Sequence, residues 1–199
     1  MVYVKGLEAS HSRFKLSQMK TKILKSIAFI SLSSTPLLQV VAQQPIGIAL
    51  SAGTGSDADI YGVTVVSNIG FWEHTSESKS FRIVGHLETS LSNIDGRMTD
   101  GNKGIVVAGL TPVFRLKPAS SRLYIEAGIG ATYFSEKKIH RDKAVGTHFE
   151  FGDILGFGVT FGQNDAHELG YRVVHYSNAG MSQNNPGIDF HQLRVKFGF

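Results

Sequence analysis

The sequence predicts an all-β protein, an eight-stranded antiparallel β-barrel that crosses a membrane, behind a cleaved signal peptide. Three observations carry that prediction. Apolar residues alternate with small or charged ones along eight segments. No uninterrupted apolar run approaches the ~18–20 residues a spanning helix needs. The chain of 199 residues holds 22 Gly and 13 Phe beside only 5 Pro and no Cys, a balance suited to closely packed strands with a lipid-facing side. A hydrophobic share of 42% argues against disorder. The lack of Cys excludes disulfides, thiolate metal sites and a Cys nucleophile.

The first element is a leader. Met19-Lys20-Thr21-Lys22-Ile23-Leu24-Lys25 forms a positive start, Ile27 to Leu38 a short apolar stretch, and Val40-Val41-Ala42 the small residues of a signal-peptidase site. Residues 19–42 therefore read as a signal peptide cleaved after Ala42, leaving Gln43 as the new N-terminus, and residues 1–18 as an upstream extension from a mis-set start. A membrane anchor is the alternative, but the stretch is short and rich in Ser. The net charge of +4 invites a nucleic-acid reading until it is located. Residues 1–42 hold Lys5, Arg13, Lys15, Lys20, Lys22 and Lys25 against Glu8 alone, so the basicity belongs to the leader and nucleic acid is set aside as a partner.

Residues 43–199 then form the barrel, with strands expected at 46–54, 60–72, 80–93, 104–117, 121–134, 147–162, 167–178 and 189–199, separated by clusters of Gly, Asn, Asp, Ser and Lys. These lengths equal or exceed the ~9–11 residues of a tilted spanning strand. Alternation separates two faces. The fifth strand sets Leu123, Ile125, Ala127, Ile129, Ala131 and Tyr133 against Tyr124, Glu126, Gly128, Gly130 and Thr132. The sixth sets Phe149, Phe151, Leu155, Phe157, Val159 and Phe161 against Glu150, Gly152, Gly156, Gly158 and Thr160. The last sets Leu193, Val195, Phe197 and Phe199 against Gln192, Arg194, Lys196 and Gly198.

A soluble sandwich or lipocalin-like barrel has the same period with the faces reversed. The other face carries Arg82, Glu88, Glu126, Glu150, Arg172, Arg194 and Lys196, too many charges for a soluble core unless they pair with one another. With an exported chain ending on Phe199, as bacterial outer-membrane proteins do, this favours apolar side chains outward and charges within.

One set of polar residues breaks the apolar face. His175 and Ser177 share a face with Leu169, Tyr171 and Val173, and Asp189 shares one with Leu193, Val195, Phe197 and Phe199, with His191 between. Ionisable groups facing lipid cost stability and need a reason. An even strand count puts both termini in the periplasm, so these three groups gather at the outer end of strands seven and eight. The 181–188 loop then lies outside the cell. Ser177 can serve as nucleophile, His175 as general base and Asp189 as the acid that orients the imidazole. Two residues along a strand set His175 and Ser177 roughly 6–7 Å apart at their origins, within reach of an imidazole. An inert barrel with a polar cluster at its rim carries the same short pattern.

The run His175-Tyr176-Ser177-Asn178-Ala179-Gly180, followed by Gln183, Asn185, Gly187 and an acid at 189, resembles the PagL family of lipid A 3-O-deacylases, most closely over 169–190 and more loosely over 43–199. The resemblance implies a serine esterase of the bacterial outer membrane, without metal or cofactor. Such an enzyme removes the 3-O-linked acyl chain of lipid A in lipopolysaccharide and releases a 3-hydroxy fatty acid. Carried over, Ser177 is the nucleophile, His175 the base and Asp189 the acid, where the family commonly has Glu. Asn185 matches an oxyanion-hole residue, with backbone N–H groups around Asn178 and Gly180 as further donors, while Tyr171, Val173 and Leu193 line the acyl chain's path. Asn185 also reads as a plain turn residue before Pro186-Gly187. The implied partners are lipopolysaccharide and outer-membrane lipid, and since family members can dimerise, a homodimer stays open. The rival functions are a structural or adhesive barrel and another lipid hydrolase or acyltransferase.

Weaker signals remain. Gly128-Ile129-Gly130 and Gly156-Phe157-Gly158 fall inside strands with no helix after them, so they are not nucleotide loops. His74, His86, His140, His148 and His167 show no metal-ligand spacing. Lys137, Lys138, Arg141 and Lys143 cluster in one loop, suited to lipid A phosphates or to water. Asp153, among outward residues of the sixth strand, is expected to mark a bulge or register shift.

Overall fold

The computed structural model describes residues 46–97, 103–183 and 185–199, without the side chains of residues 46 and 69–72. The extension 1–18, the signal peptide 19–42 and the cleavage after Ala42 lie outside the described residues. Ten strands follow in chain order: β1 (Ile46–Thr54), β2 (Ala58–Thr75), β3 (Phe81–Gly96), β4 (Ile105–Pro118), β5 (Leu123–Phe134), β6 (Lys138–His140), β7 (Lys143–Ala144), β8 (Phe149–Phe161), β9 (His167–Ser177) and β10 (Ile188–Gly198). Eight of them close into an antiparallel barrel in the order β1-β10-β9-β8-β5-β4-β3-β2, and β6-β7 is a separate small hairpin. Closure removes the unpaired edges that a sheet in lipid cannot carry.

The faces divide as alternation requires. Along β5 every second residue is exposed, from Leu123 (64%) to Ile129 (64%), while its neighbour Glu126 is 3% exposed. The outward side chains are mostly aliphatic and aromatic and the middle of the lumen is ionic. Arg172 donates from Nη1 and Nη2 to Glu88 at 2.7 and 2.8 Å and from Nε to Glu126 at 2.6 Å. Arg194 reaches Glu88 and Glu168, Arg115 reaches Glu126 and Glu168, and Lys196 closes on Glu168 at 2.5 Å. The buried charges satisfy one another, the condition under which a low-dielectric lumen accepts them. Arg115 and Glu168 belong to this network and Arg82 does not. Arg82 lies at the end of the barrel that holds the termini, half exposed and 3.7 Å from Glu73.

Loop lengths separate the two ends. Three connections at the end that holds the termini are tight turns of four or five residues (76–80, 119–122 and 162–166), the last containing a 3-10 turn at Gln163–Asp165. Among the connections at the other end, 97–104, 135–148 and 178–187 are longer. There β6-β7 folds inward. Ile139 and Val145 are buried against Ile60, Ile94, Val107, Phe134, Tyr176 and Phe190, so this mouth is closed by an apolar plug. His140 of the hairpin reaches across to Asp57 at 3.5 Å, in the turn after β1, where a hydrogen bond from Ser56 and then the His140 and Lys143 side chains hold the Asp57 carboxyl below its usual range.

The register corrects one expectation. Pairing of β8 with β9 runs unbroken from Phe151↔Ser177 to Phe161↔His167, and with β5 from Tyr133↔Phe149 to Leu123↔Val159. Asp153 marks neither bulge nor shift. It stays on the outward face and pairs directly with His175. Within the described barrel strands a shift in register lies in β2 against β3, between Asn68 and Glu73.

Candidate active site

Strands β9 and β10 bring the expected acid and base together. Asp189 and His175 are direct cross-strand partners on the outward face, and antiparallel partners stand about 4.5–5.5 Å apart at Cα. One short carboxylate spans that gap, with Asp189 Oδ1 at 2.7 Å from His175 Nδ1. The carboxylate only accepts, so in the neutral ring Nδ1 carries the proton and Nε2 has the lone pair. Ser177 follows two residues later on the same face, half-buried beside Phe151 of β8. Of the described contacts none joins the Ser177 hydroxyl to the imidazole, a bond that commonly forms only when substrate is bound. The group opens outward, with the side chain of His175 42% and that of Asp189 65% exposed.

The loop beyond Ser177 differs from the expected oxyanion arrangement. The N–H of Asn178 donates to Asn185 Oδ1 at 2.9 Å, and the N–H of Gly180 donates to Asn178 Oδ1 at 3.0 Å. Asn178 is fully buried, and Met181 N–H donates to its carbonyl. Both expected backbone donors therefore hold the loop itself. The reason is the turn: Ala179 (φ 52) and Gly180 (φ +79) are both left-handed, which folds the chain back onto the Asn178 side chain. Asn185 is more than a turn residue, because its Oδ1 accepts a hydrogen bond from the Asn178 backbone N–H at 2.9 Å.

Inward from the imidazole, toward the terminal end, the outward face turns apolar. Val173 pairs with Leu155, Tyr171 with Phe157 on one side and Leu193 on the other, and Leu155 and Leu193 are among the most exposed side chains of the barrel. Tyr171, Val173 and Leu193 thus lie together on the outward face. His191 joins them, with its Nδ1 2.6 Å from Tyr171 Oη. Two polar side chains in this stretch satisfy each other. Asp153 is the residue whose place the sequence reading missed. It stands on the β8 side of His175 while Asp189 stands on the β10 side, so the imidazole lies between two carboxylate-bearing positions. The signal was its outward parity, which a continuous hairpin register places opposite residue 175.

The same stretch is matched from outside the structure. Residues 59–197 match the family described as lipid A 3-O-deacylase (PagL), well over half of the chain and including every residue of the site. The chain belongs to the PagL family of lipid A 3-O-deacylases. The lipid A deacylase PagL of Bordetella bronchiseptica is 41% identical over 105 residues, 53% of this chain and 56% of that protein. The lipid A deacylase PagL of Pseudomonas aeruginosa is 28% identical over 180 residues, 88% of this chain and 97% of that protein. A crystal structure of the outer membrane enzyme PagL superposes with a TM-score of 0.65 at 25% identity, over 76% of this chain and 98% of that one. Fold, family and address agree: the chain is an outer-membrane β-barrel hydrolase of the PagL family.

Proposed function

We propose that the protein hydrolyses the 3-O-linked acyl ester of lipid A in lipopolysaccharide, with Ser177, His175 and Asp189 as its triad on the outer-leaflet side of the barrel. The observation that carries this reading is the 2.7 Å bond between His175 and Asp189 on the lipid-facing surface, two residues from Ser177, in a chain of this family. Nothing else about an inert barrel calls for an imidazole and a carboxylate bonded to each other where lipid lies.

Loop lengths support the side. Outer-membrane barrels keep short turns in the periplasm and long loops outside, and the site sits at the long-loop end. There the ester of a lipid anchored in the outer leaflet meets Ser177 without leaving the bilayer, and its chain lies along Val173, Tyr171 and Leu193. Ser177 Oγ attacks the carbonyl as His175 Nε2 takes its proton, and Asp189 stabilises the imidazolium. With its Oδ1 held by the Asn178 N–H, Asn185 keeps its amide N–H2 as a donor for the oxyanion, a role typically worth about 3 kcal/mol. The proton passes to the sugar oxygen as the ester bond breaks. Water from the surface then cleaves the acyl-enzyme and releases the 3-hydroxy fatty acid. Asp153 does not orient the ring, since Nδ1 is taken by Asp189, and its carboxylate is left to accept a hydrogen bond from the substrate.

Mass spectrometry of lipid A after incubation of purified protein with lipopolysaccharide tests the reading. Loss of one hydroxyacyl chain supports it. An unchanged mass returns the protein to an inert barrel, and turnover of phospholipid in place of lipid A makes it a different lipid hydrolase.

A further inference from the structure

The segment entering β10 holds a glycine where the imidazole takes its room. Gly187 has φ +58, and a Cβ added to it would lie 2.7 Å from His175 Cε1, 3.3 Å from Nε2 and 3.5 Å from the Tyr176 carbonyl oxygen. Carbon atoms pack at about 3.5–4.0 Å, so the first distance is a collision. The ring has little freedom to turn aside, because Asp189 holds Nδ1 at 2.7 Å. Pairing of β10 begins with Ile188 opposite Tyr176, and Gly187, one residue earlier, comes alongside Ser177. The Cε1–Nε2 edge of the imidazole therefore rests against bare backbone at 187.

We propose that Gly187 is a positioning residue for the reaction: its missing side chain is the slot in which His175 holds Nε2 beside Ser177. This rests on the reading of Ser177 and His175 as nucleophile and base. Nε2 must take the Ser177 proton while the Oγ–carbon bond forms and return it to the sugar oxygen while the ester bond breaks. A ring displaced by a methyl group at 187 does neither step well, although Ser177, Asp189 and the apolar path stay in place. A misplacement of about 1 Å can cost roughly 100-fold in rate. Gly187 lies outside the Val173–Tyr171–Leu193 path, so the loss falls on kcat and not on KM.

The competing account is that glycine is needed for its left-handed backbone alone. Two substitutions separate the accounts. Asn tolerates positive φ better than Ala, so Gly187→Asn eases the backbone while keeping the Cβ. Gly104 has φ +71, but an added Cβ there meets only Asn93 Oδ1 at 3.8 Å, so Gly104→Ala carries the backbone cost without touching the imidazole.

The test uses the purified barrel in detergent and three readouts: kcat and KM on lipopolysaccharide, the rate at which a fluorophosphonate labels the serine as a function of pH, and the unfolding temperature. Gly187→Ala and Gly187→Asn are each expected to lower kcat and labelling about 100-fold with KM within about threefold. The rise of labelling as the imidazole becomes the free base should vanish in both, and Gly104→Ala should keep the parent kcat, KM and labelling profile while its unfolding temperature falls. Turnover of Gly187→Asn near the unaltered rate, or an unchanged pH profile for labelling of Gly187→Ala, overturns the proposal. Ser177→Ala is measured alongside. If it keeps turnover, the nucleophile assignment falls and takes the proposal with it; if it is inactive while Gly187→Asn works, the slot alone is rejected.

Discussion

The carboxylate of Asp189 meets His175 at 2.7 Å through a single methylene, because the two residues are direct partners across β9 and β10. Replacing that oxygen by an amide leaves the shape and changes the proton: an Asn at 189 can donate to Nδ1, which moves the hydrogen to Nε2 and removes the base. Asp189→Asn is therefore expected to lower kcat by about 1,000-fold or more, as wrong tautomers do in serine hydrolases, while KM moves little. Asp189→Glu is a milder change. The side chain is 65% exposed, so a further methylene has room to bend, and activity within about tenfold of the parent is expected from the same assay. Ser177→Ala and His175→Ala should each abolish turnover. Substantial hydrolysis by either variant would reject the triad.

At the scale of the elements, alternation was enough to place eight strands within a few residues of their ends, because each must show lipid one face and a filled lumen the other. The grouping of the proposed triad was legible for the same reason: parity puts His175, Ser177 and Asp189 on one face. What parity does not contain is which residue of one strand faces which residue of the next. Asp153 therefore looked like a break in the pattern, although the β8–β9 register sets it against His175. Hydrogen bonds inside a ten-residue loop were equally hidden, so the N–H groups of Asn178 and Gly180 looked available when the loop consumes both. The β6-β7 hairpin escaped notice because its strands of three and two residues are too short to show a period. Its Ile139 is nonetheless wholly buried under the mouth of the barrel. Ile139→Ala is expected to cost about 2–4 kcal/mol of stability through the cavity it leaves, read as a lower unfolding temperature in detergent.

Across the whole molecule, stability and chemistry occupy opposite sides of one sheet. The lumen holds Arg115, Arg172, Arg194 and Lys196 against Glu88, Glu126 and Glu168, and the outer surface holds the proposed triad. Neighbouring residues on a strand point to opposite faces, so Arg172 and Val173, or Val174 and His175, serve different ends one peptide bond apart. The division makes the two properties separable by mutation. Arg172 bonds both Glu88 and Glu126, beside Arg194 on the first and Arg115 on the second, and removing it leaves each carboxylate one charged partner short where water is scarce. Arg172→Ala is expected to destabilise the barrel by about 3–5 kcal/mol, the usual cost of breaking a buried pair from one side. Below its lowered unfolding temperature it should still hydrolyse lipid A at close to the parent kcat, because no lumen side chain reaches the ester. Ser177→Ala should do the reverse, keeping the parent unfolding temperature without turnover. If Arg172→Ala instead loses activity while still folded, the wall transmits lumen changes to the outer face, and stability and chemistry are not separable.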